Sequence, residues 1–251
     1  MNEELKAFLD QKYIQYNNPS FIECDPVSVP HLFERKEDIE ISAFLTSTLS
    51  WGKRKSIIKN SGRLIHMMDD RPFDFITHAS PQDLKPIHRF VHRTFNGEDA
   101  VFFISSLKNI YQNHGGLEAA FSMNPGAGIK EAIVQFRKLF FSIEHSPHVE
   151  KHLADPSHGS TAKRVNMFLR WMVRDDGCGV DFGLWKKMRT ADLFCPLDVH
   201  SGNTARYLGI LTRKSNDWKA VEELTTKLRE FDPEDPVKYD FALFGIEAIG
   251  D

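Results

Sequence analysis

Glu98-Asp99-Ala100-Val101-Phe102-Phe103-Ile104-Ser105-Ser106-Leu107-Lys108-Asn109-Ile110-Tyr111-Gln112-Asn113 carries its apolar residues at the spacing of a helix. Val101, Phe102, Ile104, Leu107, Ile110 and Tyr111 lie on one side of a 3.6-residue period, so that side is expected to be buried. His114-Gly115-Gly116-Leu117 follows, and its glycines supply the stop.

The same period recurs on both sides of this segment. Upstream, Asn2–Asn17 places Leu5, Phe8, Leu9, Tyr13 and Tyr16 at helical spacing. Glu37–Ser50 is apolar on one side through Ile39, Ile41, Phe44, Leu45 and Leu49. Trp51-Gly52 ends it, and Lys53–Asp69 begins another helix. Residues 70–97 are broken by Pro72, Pro81 and Pro86 into short helices and turns. Downstream, helices are expected over Gly128–Ile143, Thr161–Arg174, His200 or Ser201 to Leu211, Asp217–Phe231 and Pro236–Ala248, with a turn at Asp155–Ser160. Only Val180–Leu184 reads as extended. The fold class is all-α, with about ten helices joined by short loops.

A chain of 251 residues with 41% hydrophobic content buries a sizeable core, in one large domain or two intimately joined ones. No stretch approaches the roughly 18 consecutive apolar residues of a membrane span. The N-terminal Met1-Asn2-Glu3-Glu4-Leu5-Lys6 lacks the pattern of a signal peptide. Cys24, Cys178 and Cys195 form no CxxC pair, which excludes a four-thiolate iron–sulfur or zinc site and suits reduced thiols in the cytoplasm. The net charge of −3 gives no overall basic footprint. Basic residues nevertheless cluster: Lys53, Arg54, Lys55, Lys59 and Arg63 follow the Trp51-Gly52 turn. Acidic ones gather elsewhere, at Glu222, Glu223, Glu230, Asp232, Glu234 and Asp235.

On a helical wheel, Lys163, Met167, Arg170 and Arg174 fall opposite Val165, Phe168, Leu169 and Met172. This helix is expected to bury the aliphatic side and show a basic stripe. Lys163 sits in its first turn, where the helix dipole disfavours a cation. A lysine that gives up its proton there is a nucleophile, and a solvated basic face is the plainer reading. Further on, Phe194-Cys195-Pro196-Leu197-Asp198-Val199-His200 leads into Ser201-Gly202-Asn203-Thr204-Ala205-Arg206. Asp198 alone reads as a helix cap. His200, Ser201, Asn203, Thr204 and Arg206 at the same helix start suit a phosphate. A metal on Asp198 and His200 finds no third ligand at a telling spacing, so no metal and no cofactor is expected.

Lys163 opening one helix and Pro196-Leu197-Asp198-Val199-His200 opening a later one together resemble the helix-hairpin-helix DNA glycosylase superfamily. The 8-oxoguanine glycosylases and their archaeal relatives are the nearest type. The chain also looks like a member of an uncharacterised bacterial family within or near that superfamily. Ser42–Ser50 is similar to the early helix and turn with which those enzymes approach DNA, and His114–Leu117 to a stretch between their subdomains. The resemblance spans roughly residues 36–210 and is motif-specific near 159–206. It departs from the family in three respects. Pro156-Ser157-His158-Gly159-Ser160-Thr161-Ala162-Lys163 keeps one hairpin glycine, Gly159, with Lys163 four residues on rather than two. The Lys163-to-Asp198 separation is nearer the archaeal type, and Asp175–Arg189 adds Lys186 and Lys187 as rival nucleophiles. No cysteine cluster ends the chain, which excludes the iron–sulfur branch.

The resemblance implies two closely packed helical subdomains with a cleft between them, residues 36–130 forming one and residues 1–35 plus 131–251 the other. It implies base-excision repair of an oxidised purine such as 8-oxoguanine, possible AP-lyase chemistry, and a monomer acting on double-stranded DNA with a damaged base. Asp198 stabilises positive charge at the sugar and Lys163 is the nucleophile. Gly159, Arg170, His200, Ser201, Asn203, Arg206, Lys53 and Arg54 contact nucleic acid. Trp51 and Trp171 are the candidates to receive a flipped base. Two alternatives stay open: a non-catalytic nucleic-acid-binding protein that keeps the fold, and an enzyme on free nucleosides or nucleotides.

Overall fold

The computed structural model describes residues 3–248, the side chains of 247 and 248 excepted. Twelve α-helices carry the described chain. They are α1 Glu3–Tyr16, α2 Pro19–Cys24, α3 Lys36–Leu49, α4 Arg54–His66, α5 Pro72–His78, α6 Gly97–Asn113, α7 Leu117–Phe121, α8 Ile129–Phe140, α9 Lys163–Val173, α10 Val199–Tyr207, α11 Trp218–Phe231 and α12 Tyr239–Ala248. Among the described residues the only sheet is a two-stranded antiparallel ribbon, β1 Val91–His92 and β2 Phe95–Asn96, with His92 opposite Phe95. The fold is all-α, as the periodicity implies. Val180–Leu184 forms no strand. The short α2 and α7 escape a periodicity reading because neither completes enough turns to display one.

The segment 98–113 is a helix for the expected reason and has a strong start. Asn96 caps α6 by accepting from the Glu98 and Asp99 N–H groups, and Asp99 returns a bond to the Asn96 N–H, a capping box. Its buried face is rotated from the expected one. Phe103 and Ser106 join Ile104, Leu107 and Ile110 in the core, whereas Val101, Phe102 and Tyr111 are half-buried.

The chain gathers into two compact units. The middle unit comprises Ile22–Ala127 and Glu131–Leu153. The terminal unit comprises Met1–Phe21, Gly128–Lys130 and Ala154–Asp251. Residues 22–35 and 131–153 thus group with the middle unit, and residues 128–130 with the terminal one.

In the middle unit α3 is buried on every side from Ile39 to Leu49 and packs against α4 and α5. Most of its polar residues find partners, and the Thr46 hydroxyl is buried without a hydrogen bond. Ser42, Ser47 and Ser50 donate their hydroxyls to the carbonyls of Ile39, Phe44 and Thr46. Glu40 accepts from the Tyr111 hydroxyl at 2.6 Å. Ser42–Ser50 is thus core rather than a surface that approaches DNA. An aromatic cluster fills the rest: Phe44, Phe103, Phe136 and Phe140 meet, and Phe121 stacks on Phe136 at 3.8 Å. Each such burial stabilises the unit by roughly 1.5–3 kcal/mol.

In the terminal unit α12 packs against both α1 and α10. Gly245 allows the approach of α1, since a Cβ there would stand 2.2 Å from the Tyr16 ring. α9 buries Val165, Phe168, Leu169 and Met172 as its wheel requires. It also buries Arg170, Trp171 and Arg174, so the expected exposed basic stripe is not there.

Candidate active site

The approach to α9 is held by local bonds. Asp155 caps the 3₁₀ turn Pro156–His158 through the Ser157 N–H at 2.8 Å, and exposed Gly159 ends that turn at φ 86°. Ala162, fully buried, then adopts φ 47°, ψ 35°. The left-handed region costs an alanine roughly 1–2 kcal/mol. Its neighbours hold it there: the Ala162 N–H donates to Ser160 Oγ, and Asn166 Nδ2 donates to the Thr161 carbonyl. The segment Asp155–Ala162 is therefore an ordered turn that delivers Lys163 as the first residue of α9, where no side chain caps the helix.

Asp198 reaches the same place from α10. It is the N-cap: Asp198 Oδ1 accepts from the Ser201 N–H at 3.1 Å, and Ser201 Oγ accepts from the Asp198 N–H at 3.0 Å. The cap uses Oδ1, which leaves Oδ2 facing Lys163 Nζ at 3.5 Å. Both side chains are about one-quarter exposed, 25% and 27%, so the pair is open to a ligand rather than sealed in the core. Burial pushes the Asp198 carboxyl up, but Lys163, Ser201 and His200 together outweigh it and hold the group below its ordinary value.

Behind this pair lies a sealed charge network that the sequence did not announce. Arg170 donates to Asp181 Oδ1 at 3.2 Å and to Asp240 Oδ2. Arg174 donates to Asp181 Oδ2 at 3.0 Å and to Asp235, and pairs with Asp176. Asp240, on α12, feels both members of the open pair. Burial raises its carboxyl to about 6, with Asp198 and Asp181 adding to the rise and Arg170 and Lys163 opposing it. Burial also raises Asp176, yet the Cys178 N–H, Arg174, Tyr13 and Asn17 bring it down to about 2. No motif contains Asp240. Its only sequence signal is an acidic residue set in the apolar run of α12.

The remaining candidates divide. Arg170 is corrected: it is 4% exposed and committed to two aspartates, so it faces no phosphate. Ser201 is buried by its cap bonds. Arg206 is half-buried, and its guanidinium holds the Arg213 carbonyl and Asn216. His200, Asn203 and Gly159 are exposed in the terminal unit. Trp171 is fully buried and belongs to the core, so it receives no base. Lys186 is exposed and reaches Asp175, and Lys187 is exposed. Trp51, half-buried, Lys53, exposed, and Arg54, half-buried, belong to the middle unit. Tyr207 at the end of α10 is 90% exposed, an aromatic surface the sequence reading passed over.

The model of a family described as "Protein of unknown function (DUF2400)" matches residues 25–249, most of the chain. No curated protein and no solved structure matches it.

Proposed function

The chain belongs to the DUF2400 family, and we propose that it is a DNA glycosylase of the helix-hairpin-helix type, with AP-lyase capacity, acting on an oxidised purine such as 8-oxoguanine. The observation that carries this reading is the 3.5 Å approach of Lys163 Nζ to Asp198 Oδ2 at the starts of two helices. A one-quarter-exposed lysine nitrogen beside a carboxylate is the pair of groups that glycosidic cleavage by an amine requires.

In the proposed reaction the target base leaves the duplex at a cost of a few kcal/mol. As the bond from the sugar C1′ to the base nitrogen breaks, its electron pair leaves with the base, which takes up a proton. Positive charge gathers on the sugar, opposite the Asp198 carboxylate. The Nζ lone pair of Lys163 bonds to C1′ and one Nζ proton passes to the departing base; the other goes to the ring oxygen as the C1′–O4′ bond breaks, leaving a Schiff base from which strand cleavage proceeds. The low-lying Asp198 carboxyl supports this role, because it is ionised throughout the neutral range.

The reading is tested by base release from a duplex carrying one 8-oxoguanine. Wild-type protein is expected to release the base, and Asp198→Asn to lose at least about a hundredfold in single-turnover rate, in line with removal of a preorganised electrostatic partner. Wild-type protein that binds the duplex at low salt and releases no base from it or from other oxidised purines would point instead to the non-catalytic binder.

A further inference from the structure

In the middle unit, Asp99, His148 and His152 bring a carboxylate and two imidazoles together, with one ligand atom of each within 4.8 Å of the others. Asp99 comes from the first turn of α6. His148 and His152 come from the 3₁₀ segment Pro147–His152. Asp99 Oδ2 stands 3.1 Å from His152 Nε2, and Asp99 Oδ1 stands 3.3 Å from His148 Nε2. We propose that these three side chains form an open binding site for a divalent transition-metal ion of the Zn²⁺ or Fe²⁺ class.

The capping of α6 does not account for the cluster. The cap needs one carboxylate oxygen, and Oδ2 supplies it by accepting from the Asn96 N–H at 2.9 Å. Oδ1 is left buried with no hydrogen bond, on a side chain only 1% exposed. A buried carboxylate oxygen that meets only an imidazole nitrogen, 3.3 Å away and without a hydrogen bond, costs free energy, and a cation between it and the imidazoles removes that cost. The spacing also fits. Two ligands held 2.0–2.1 Å from one tetrahedral ion stand roughly 3.3 Å apart. Two histidines and one carboxylate are a set that borderline divalent metals favour, and calcium and magnesium prefer all-oxygen sites.

The ligands are held in place, and the site is open on one side. Trp51 stacks over the His152 ring at 6.0 Å and Phe95 meets it edge-on at 4.9 Å, so a buried imidazole has little freedom. His148 is 38% exposed. With Asp99 it lines a cleft of about 290 Å³ whose wall also includes His88, Glu98, Ser105 and Glu144. Three protein ligands beside an open cleft leave a position for water or a substrate oxygen, the pattern of reactive rather than closed metal sites. Gly97 tightens this corner, since a Cβ there would lie 2.1 Å from the His88 carbonyl oxygen. The site stands on residues separate from Lys163 and Asp198 and does not depend on the glycosylase reading.

The test uses the full chain stripped of metal by a chelator, titrated with Zn²⁺ by calorimetry and with Co²⁺ by visible absorption. One ion per chain is expected, with the cobalt spectrum of a low-symmetry nitrogen–oxygen site. His148→Gln, at the most exposed of the three ligands, should weaken Zn²⁺ binding by more than the roughly 10–100-fold that loss of an outer-shell partner costs. Asp99→Asn should do the same, though it also weakens the α6 cap, so His148→Gln decides the matter. His158→Gln, at an exposed histidine paired with Asp155, should leave binding unchanged. Absence of one-to-one binding in the wild type, or equal affinity in wild type and His148→Gln, would overturn the proposal and leave the cluster as a buried ion-pair group.

Discussion

Arg174 Nη1 donates to Asp181 Oδ2 at 3.0 Å, and neither side chain meets solvent. The pair sits where the helical wheel places a basic face. Removing one partner of a buried ion pair leaves a charge without compensation and typically costs 3–5 kcal/mol. Arg174→Met and Asp181→Leu are each expected to lose about that much, read from urea midpoints at constant slope. Their double variant should recover part of the loss. Loss below about 1 kcal/mol in both single variants would contradict a sealed network.

Asp240 gives the terminal unit a distinctive pH response. Its folded-state carboxyl, raised by burial to about 6 from an ordinary 3.8, takes up a proton more readily than in the unfolded chain. The stability it lends is present below its ordinary value and is lost as pH rises through about 6. Asp176, held down to about 2, acts in the opposite sense: its contribution is present above 3.8 and is lost as pH falls toward 2. The stability of the wild type relative to Asp240→Asn should therefore fall between pH 4 and pH 7 in thermal melts. A constant difference across that range would remove the raised carboxyl from the account.

Asp198 has two roles, and substitution separates them. Serine keeps an N-cap and removes the charge. Asp198→Ser is expected to stay within about 0.5 kcal/mol of wild-type stability while losing base release, and Asp198→Ala to lose about 1 kcal/mol and base release together. Base release that survives in the serine variant would reduce Asp198 to a cap.

Lys53, Lys55 and Lys59 are exposed at and along the first half of α4, which no side chain caps. Each lysine that meets a phosphate on a duplex releases about 0.9 of a counterion. Replacing one of the three with alanine should flatten the plot of log affinity against log salt by about that amount, with no change in base preference. An unchanged slope in all three variants would take α4 off the DNA-facing surface.

How far the sequence reads the molecule depends on the range of the interaction. α6 is legible from its periodicity and α9 from its wheel, because amphipathic helices state their phase locally. The meaning of that phase is not local. Arg170 and Arg174 look like a solvated stripe until Asp181, Asp235 and Asp240 arrive from other segments to neutralise them. Ser42–Ser50 carries enough hydroxyls to look like surface, yet those of Ser42, Ser47 and Ser50 turn back onto their own helix. The Lys163–Asp198 approach was legible because each residue opens a helix within a recognisable motif. Asp99, His148 and His152 were not, since no short spacing links an α6 cap to a 3₁₀ segment beyond α8.

The central claim is that Lys163 is an amine nucleophile beside Asp198, and borohydride trapping on duplex DNA with a single 8-oxoguanine tests it most directly. Wild-type protein should form a covalent adduct that Lys163→Gln abolishes and the Lys186→Gln, Lys187→Gln double variant retains. An adduct that persists in Lys163→Gln and disappears in the double variant would contradict the claim.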